Sequence, residues 1–323
     1  MSRLRVGVVG TGFIAGRHLA ALSRFDDVEV VAVADPVRER AEVAAARVGA
    51  RCLDDGAALL QLEELDAVWL CVPPFAHGPL EAAAVARRLP FFVEKPLALD
   101  VDTAREVARQ VAGAGLTTAV GYHWRHLDVV QRAAALLPAG DVRLVTGTWL
   151  DATPRPPWWV RRDGSGGQVV EQTTHVFDLA RLLAGEVVSV CAAERPAPVE
   201  GEVATAAAAV LTFASGAVGS VCSTRVLGWR HAVGLQVVAD GRVVELSERS
   251  LDDHRLRVVT ADGEEVHRTD ADPIAAEDRE FVDVLCGRAE RVRVPYAEAL
   301  RTHALACAAD TAARGGAPVR VES

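Results

Sequence analysis

Lys95, in the stretch FFVEKPLALD (91–100), is the single lysine of a 323-residue chain that carries 34 arginines and no asparagine. A drift from lysine to arginine in a genome that avoids adenine-rich codons explains the shortage. It leaves open whether Lys95 is one surviving codon or an amine kept for its chemistry. Arginine stays protonated and presents a wide planar fork, whereas lysine is a compact donor whose proton becomes labile when the amine is desolvated or set beside another cation. A second group is GTGFIA (10–15), which fits GxGxxA. In that pattern Gly10 permits a tight turn, Gly12 lets the backbone approach a pyrophosphate, and Ala15 allows a helix to pack closely on a strand. Thr11, Phe13 and Ile14 share the loop, and the helix N-terminus that follows favours an anion. Asp35 lies 23 residues after Gly12. A carboxylate there accepts hydrogen bonds from both ribose hydroxyls of NAD and repels the 2′-phosphate of NADP. Pro36 and Arg40 complete this corner. Arg38 and Arg40 soften the repulsion, so the pattern points to NAD with NADP as the less favoured cofactor.

A third group is SGGQVVEQTTHVFD (165–178), where Glu171 and His175 stand four residues apart. On one helix they share a face, and an imidazole one turn from a carboxylate has the makings of a general base with an orienting partner. The same spacing is the pattern of a surface ion pair, and Asp178 is an alternative brace for His175. The neighbours Val169, Val170, Val176 and Phe177 argue for a buried helix. A fourth, CVPPFAH (71–77), supplies Cys71, Val72, the stiffening Pro73 and Pro74, and His77, which is either a ligand contact or part of a rigid turn. EKP (94–96) supplies Glu94, Lys95 and Pro96; X-Pro bonds adopt cis more readily than others, and a cis bond here would turn the ammonium toward a bound nicotinamide.

These groups need elements to hold them. Over the first 122 residues short continuous apolar runs alternate with helical ones: strands at 4–9, 28–35, near 51–53, 66–72, 91–95 and 116–122, with helices at 13–24, 37–48, 77–88 and 100–113. That rhythm predicts a doubly wound parallel sheet of the Rossmann type, with GTGFIA, Asp35, CVPPFAH and EKP all at carboxyl ends of strands, where such sheets bind ligands. Beyond residue 122 the rhythm changes. A helix at 126–137, a strand at 142–151, a Pro/Trp/Gly-rich loop (153–167) and a helix at 170–184 precede six strands between 187 and 260, two helices (275–286, 296–313) and a terminal strand (318–321). The expected architecture is α/β: residues 1–122 form the nucleotide-binding domain, and 123–323 an α+β domain with a large, mainly antiparallel sheet for substrate and oligomer contacts.

Bulk properties exclude several classes. The formal net charge is −9, with no basic patch, which argues against nucleic acid. The six cysteines form no CxxC pair and none sits near histidine at zinc spacing, so reduced intracellular thiols and no metal are expected, and a zinc alcohol dehydrogenase is disfavoured. No secretory signal is visible at the N-terminus, so a cytoplasmic location is expected. The apolar stretch 204–223 has the length of a membrane span, yet its Ser and Thr residues and the Ser215-Gly216 turn fit two strands in a hairpin.

GTGFIA, Asp35, PPFAH, EKPLALD, GGQVVEQTTH and the ending VPYAEALRTHALACAADTAARGGAPVRV together resemble the glucose–fructose oxidoreductase/inositol dehydrogenase (Gfo/Idh/MocA) family over nearly the whole chain. The resemblance implies that Lys95 and His175 line the reacting carbon, with Glu171 where the family often has aspartate. It implies a pyranose, inositol or related polyol substrate, hydride transfer between a ring secondary alcohol and nicotinamide C4, and a homodimer or homotetramer. Two stretches depart from the family: RRLPFF before EKP, and GYHWRH (121–126). Tyr122, His123, Arg125, Trp158, Trp159 and Arg162 are the candidate sugar-lining residues, since aromatic faces and forked donors suit sugar CH surfaces and hydroxyls; a structural role suits each equally well. A glycoside hydrolase that uses NAD transiently on the same scaffold, and a non-catalytic nucleotide sensor, are the rival expectations.

Overall fold

The computed structural model describes residues 3–322 apart from 63, 139 and 270. The chain divides into two units: the first comprises 1–98, 102–123 and 274–300, the second 99–101, 124–273 and 301–323.

In the first unit β1 (Leu4–Val9), β2 (Val28–Ala34), β3 (Arg51–Leu53), β4 (Ala67–Leu70), β5 (Phe91–Val93) and β6 (Thr118–Val120) form one sheet in the order β3-β2-β1-β4-β5-β6. Every pairing is parallel. The order reverses direction at β1, so the crevice beside its carboxyl end is the topological switch point. Apolar strands buried on both sides need helices on both faces. One face carries α1 (Phe13–Leu22) and α2 (Arg38–Val48), with Ala15, Leu19, Leu22, Ala44 and Ala45 in a core with Val6, Val8 and Trp69. The other carries α3 (Gly56–Leu60), α4 (Pro79–Ala86) and α5 (Val101–Ala114), packed through Leu59, Leu60, Ala84, Ala104 and Val107. The segment 274–300, read from the sequence with the second domain, belongs here. Phe281 and Val282 complete the α1-side core, and Tyr296 packs edge-on against Phe91 at 6.1 Å on the other face. Helical sequence after a run of strands gives no sign of which sheet it will cover.

The second unit holds α6 (Asp128–Ala135), β7 (Val142–Ala152), α7 (Arg162–Ser165), α8 (Gln168–Glu171), α9 (Thr174–Ala184), β8 (Val187–Arg195), β9 (Ala206–Phe213), β10 (Val218–Leu227), β11 (Ala232–Ala239), β12 (Arg242–Ser250), β13 (Asp253–Thr260) and β14 (Gly263–Arg268). After α10 (Pro273–Leu285) and the first turn of α11 (Tyr296–Gly315), both in the first unit, the chain re-enters the second unit along α11 and ends with β15 (Val319–Arg320). The nine strands are ordered β14-β13-β12-β11-β7-β10-β9-β8-β15. All pairs are antiparallel except β7–β10. Inward residues such as Val145, Leu211, Val221, Leu235, Val244 and Leu256 pack with Val176, Phe177, Ala180 and Leu183 of α9 and Leu305, Ala306 and Ala309 of α11. The stretch 204–223 lies in β9 and β10, as the hairpin expectation required, and among the described residues no helix is long and apolar enough to cross a membrane.

Candidate functional site

In the first unit the glycine loop lies where its motif requires. Gly10 has φ +84°, and a Cβ there would sit 2.2 Å from the Cys71 carbonyl oxygen, so only glycine permits the turn between β1 and α1. Gly12 is the N-cap of α1, and a Cβ built on it meets no protein atom within 4 Å. Internal packing therefore does not account for glycine at 12; close approach by a phosphate does. Ala15 is fully buried, and Phe13 beside it is 78% exposed. Asp35 is aimed by three donors: Oδ2 accepts from the Thr11 N–H at 2.9 Å and the Thr11 hydroxyl at 3.0 Å, and Oδ1 from the Val37 N–H at 2.8 Å. A carboxylate has about four acceptor positions, so this one remains able to accept a ribose hydroxyl while held in one orientation. Arg38 is directed away, with Nε on Glu42 at 2.8 Å and Nη1 on Asp54 at 3.0 Å; Pro36 and Arg40 are exposed alongside.

The rim after β4 is a single turn, Pro74–Ala76, with Phe75 outward. His77 is buried behind it. Its Nδ1 lies 2.5 Å from Glu81 Oε1, while Glu81 Oε2 accepts the Gly78 N–H at 2.6 Å, so the pair caps the start of α4. Burial pushes the Cys71 thiol up to about 12, which leaves it neutral; Val72 and Pro73 are half-buried next to it. Lys95 follows β5 directly, half-buried, and the Lys95–Pro96 peptide is cis. Glu94 is buried, and its Oε2 accepts the Lys95 backbone N–H at 3.1 Å. Tyr122 is fully buried in the core with Val120 and Tyr296, and His123 is buried after it.

In the second unit the helix expected over 170–184 is two helices. α8 ends at Glu171 and α9 starts at Thr174, and between them the Thr173 N–H donates to the Gln168 carbonyl, five residues back, at 2.9 Å. A bond of that span widens the turn as a π-bulge does. Glu171 Oε2 accepts Trp159 Nε1 at 2.6 Å, which ties the 153–167 loop to the end of α8. At the other end of α8, Gly166 and Gly167, at φ +75° and +106°, lead into the helix.

His175 stands in the first turn of α9, buried, beside two tryptophans that also stack on each other at 6.0 Å. Trp149 stacks at 5.7 Å and 18°, and Trp124 lies at 5.6 Å and 33°. Strand register supplies the surroundings: Trp149 pairs with Val233, Val233 with Glu248, and Glu248 with His254, forming one row across β7, β11, β12 and β13. Glu248 Oε2 accepts Trp124 Nε1 at 2.6 Å and lies 3.1 Å from His254 Nε2; Arg230 pairs with its other oxygen and donates from Nε to Asp151 at 2.8 Å. The Arg230 guanidinium lies 5.4 Å above the Trp149 ring centroid. Of the residues around His175, the sequence singles out none of Trp124, Trp149, Asp151, Arg230, Glu248 and His254. The available signal is a charged residue at an inward, otherwise apolar strand position: Asp151 on β7 and Glu248 on β12.

The proposed sugar-lining residues of this unit are drawn into other bonds. Arg125 makes a two-pronged pair with Asp178, 2.7 Å for each contact, and Asp178 Oδ1 also accepts the Thr302 hydroxyl at 2.8 Å. Arg162 donates to Asp310 at 2.6 Å and pairs with Glu194. Trp159 is buried, and Trp158 is half-exposed.

Residues 4–122 match the family model described as an oxidoreductase family with an NAD-binding Rossmann fold, and residues 131–245 match the GFO/IDH/MocA C-terminal domain. The inositol 2-dehydrogenase of Rhizobium meliloti (strain 1021) is 33% identical over 188 residues, which cover 57% of this chain and 56% of that enzyme. The inositol 2-dehydrogenase of Rubrobacter xylanophilus is 30% identical over 255 residues, covering 76% and 71%. Among solved structures, a levoglucosan dehydrogenase in complex with NADH has a TM-score of 0.88 at 19% identity, covering 100% of both chains, a likeness of fold.

Proposed function

Because the chain belongs to the GFO/IDH/MocA oxidoreductase family, we propose that it is an NAD-dependent dehydrogenase acting on a ring secondary alcohol of an inositol or a pyranose. The observation that carries this reading is the placement of Lys95. The one amine side chain of the protein follows β5 on the carboxyl edge of the parallel sheet, the edge that also carries Gly10–Gly12 and the aimed carboxylate of Asp35. The open space at Gly12 and the orientation of Asp35 fit NAD, with the pyrophosphate at the α1 N-terminus and a ribose hydroxyl on Asp35. Bound NAD supplies the hydride acceptor.

The chain's own residues do the rest. His175 takes the proton of the substrate hydroxyl as hydride leaves the carbon. Lys95 donates a hydrogen bond to the same oxygen and stabilises the alkoxide-like charge that develops on it. Trp124 and Trp149 both pack against the His175 ring and restrict its orientation toward the hydroxyl. Glu171, one turn before His175, holds the imidazole in the needed tautomer and anchors the 153–167 loop through Trp159. Inositol is favoured because the relatives at 33% and 30% identity bear that name. No observation favours the hydrolase or sensor reading. A homo-oligomer is part of the proposal, through the face of the nine-stranded sheet opposite α9.

A panel of inositols and pyranoses with NAD and NADP, followed at the NADH absorbance, tests the reading. Turnover of a cyclic polyol with NAD, abolished in His175→Ala with NAD affinity retained, is expected. Absence of turnover across the panel, or full activity in His175→Ala, overturns it.

A further inference from the structure

Beneath Lys95 the first unit contains a buried polar network that no step above uses. His18, on α1, is fully buried. Its Nδ1 lies 2.8 Å from Asp278 Oδ1 on α10, and its Nε2 lies 3.1 Å from Glu94 Oε1. Both ring nitrogens therefore face carboxylate oxygens. Between two ionised carboxylates a neutral imidazole, with one N–H, would leave lone pair against lone pair at one contact; the imidazolium donates to both. Trp69 Nε1 donates to the same Asp278 oxygen at 2.8 Å and fixes it from β4. The Phe92 ring packs edge-on against the imidazole at 4.9 Å. On the far side of Glu94, Oε2 accepts the Lys95 backbone N–H at 3.1 Å. A Cβ on Gly121 would come within 2.4 Å of Glu94 Oε1, so the residue after β6 leaves room for the carboxylate and for little else. The result is a line of hydrogen bonds from α10 through α1 to the backbone of the lysine.

We propose that His18 is a positioning residue for Lys95, acting through Glu94. The proposal rests on the dehydrogenase reading, in which Lys95 touches the reacting oxygen. A glutamate side chain has free torsions and holds a neighbouring N–H in place only if its carboxylate is itself held. His18 supplies that hold, and it supplies the balancing charge without which a buried Glu94 carboxylate would be costly. The groups that face His18 are Glu277 and Asp278 from α10, Cys71 and Trp69 from β4, and Glu94 after β5. Burial works against the charged ring, but the carboxylates of Asp278 and Glu94 outweigh it and raise the His18 pKa well above its ordinary value. Burial likewise pushes Glu94 up, and His18 and Lys95 bring it below the ordinary carboxylate value.

The sole lysine makes the test direct. Protein labelled with [ε-13C]lysine gives one side-chain NMR signal, from Lys95. In the wild-type chain the His18 ring, assigned through its contacts to Phe92, is expected to carry protons on both nitrogens at pH 8. His18→Gln and Asp278→Asn are expected to move the Lys95 signal. They should lower kcat by about 10²-fold, the scale of a displacement of about 1 Å at a reacting group, with KM for NAD unchanged. Arg109→Gln, on the exposed face of α5, should change neither. A neutral His18 ring, a ring nitrogen bound to a cation, or folded variants whose Lys95 signal and kcat match wild type overturn the proposal. If both variants fail to fold, the protonation state of the wild-type ring decides. Should the wild-type protein turn over no polyol, the dehydrogenase reading falls, while the coupling of His18 to Lys95 is still decided by the NMR signals.

Discussion

At the scale of single residues, the distinction between an amine and a guanidinium is the sharpest claim. Lys95 is half-buried on the rim after β5, with its backbone held by Glu94. A guanidinium at this position keeps the charge but needs a wider site and spreads its donors over a fork. Lys95→Arg is expected to fold and to bind NAD as wild type, and to lose about 10²-fold or more in kcat, the range of a positioned proton-handling group. Steady-state kinetics beside a thermal melt check it; near-normal turnover would return Lys95 to the status of a surviving codon. The two motif glycines separate structure from cofactor binding in a similar way. Gly10→Ala introduces a Cβ at φ +84° and 2.2 Å from a carbonyl oxygen, a strain of about 1–3 kcal/mol, so its Tm should fall. Gly12→Ala meets nothing in the protein and exchanges a good helix N-cap residue for a poor one, at a cost of about 1 kcal/mol or less. Its Tm should fall less than that of Gly10→Ala while its NAD affinity drops, as read by calorimetric titration. An unchanged affinity would remove the phosphate from this loop.

At the scale of elements, the parallel sheet and its loops were legible because buried strands read as continuous apolar runs and the motifs sit at their ends. GTGFIA, Asp35, the Pro-Pro rim and EKP all fall on the carboxyl edge that strand order predicts. The surroundings of His175 were not legible. The wide turn between α8 and α9 is supported by Gln168 Nε2 donating to the Thr224 carbonyl on β10 at 2.9 Å, and by Trp159 on Glu171, and neither shows in helical periodicity. The row Trp149, Val233, Glu248, His254 exists only once four strands are in register. β14 went unseen because GEEVHR has no apolar alternation, and its residues are mostly exposed. α10 was expected as the helix 275–286 but was read with the second domain; it lies in the first unit and holds Asp278 against His18, and that contact makes a prediction with a definite sign. A histidine whose pKa is raised in the folded state stabilises fully below its unfolded value of about 6.5, and the contribution is lost as pH climbs through the folded value. The Tm of the wild-type protein should therefore decline as pH rises above neutrality toward the raised His18 pKa. His18→Gln should show a lower Tm at pH 6 and a flatter profile. Parallel profiles for the two would mean that the ring is not charged.

At the scale of the whole molecule, the question is what covers the second face of the large sheet. In the second unit α9 and α11 cover one face. On the other, Leu144, Val210, Val218 and Val226 are exposed, with Ala208, Thr212 and Cys222 among them. No Asp, Glu, Lys or Arg interrupts this outward set on β7, β9 and β10 between Leu144 and Leu150, Ala206 and Thr212, and Val218 and Val226. A chain of net charge −9, whose arginines are largely matched to carboxylates at the surface, has acidic and basic side chains in plenty to place there. Large uncharged apolar patches on soluble proteins mark association surfaces, and flat sheet faces related by a two-fold axis bury such patches against each other. A second copy of the chain is the occupant proposed. Val210 is 58% exposed at the centre of β9. Val210→Glu therefore removes no core contact within a protomer and places a carboxylate opposite its own copy across a two-fold interface. Light scattering after gel filtration is expected to show the wild-type chain at twice or four times 34.3 kDa and the variant shifted toward the monomer, with the far-ultraviolet spectrum unchanged. A wild-type chain that runs as a monomer at micromolar concentration would remove the interface from the proposal and leave this face to another partner.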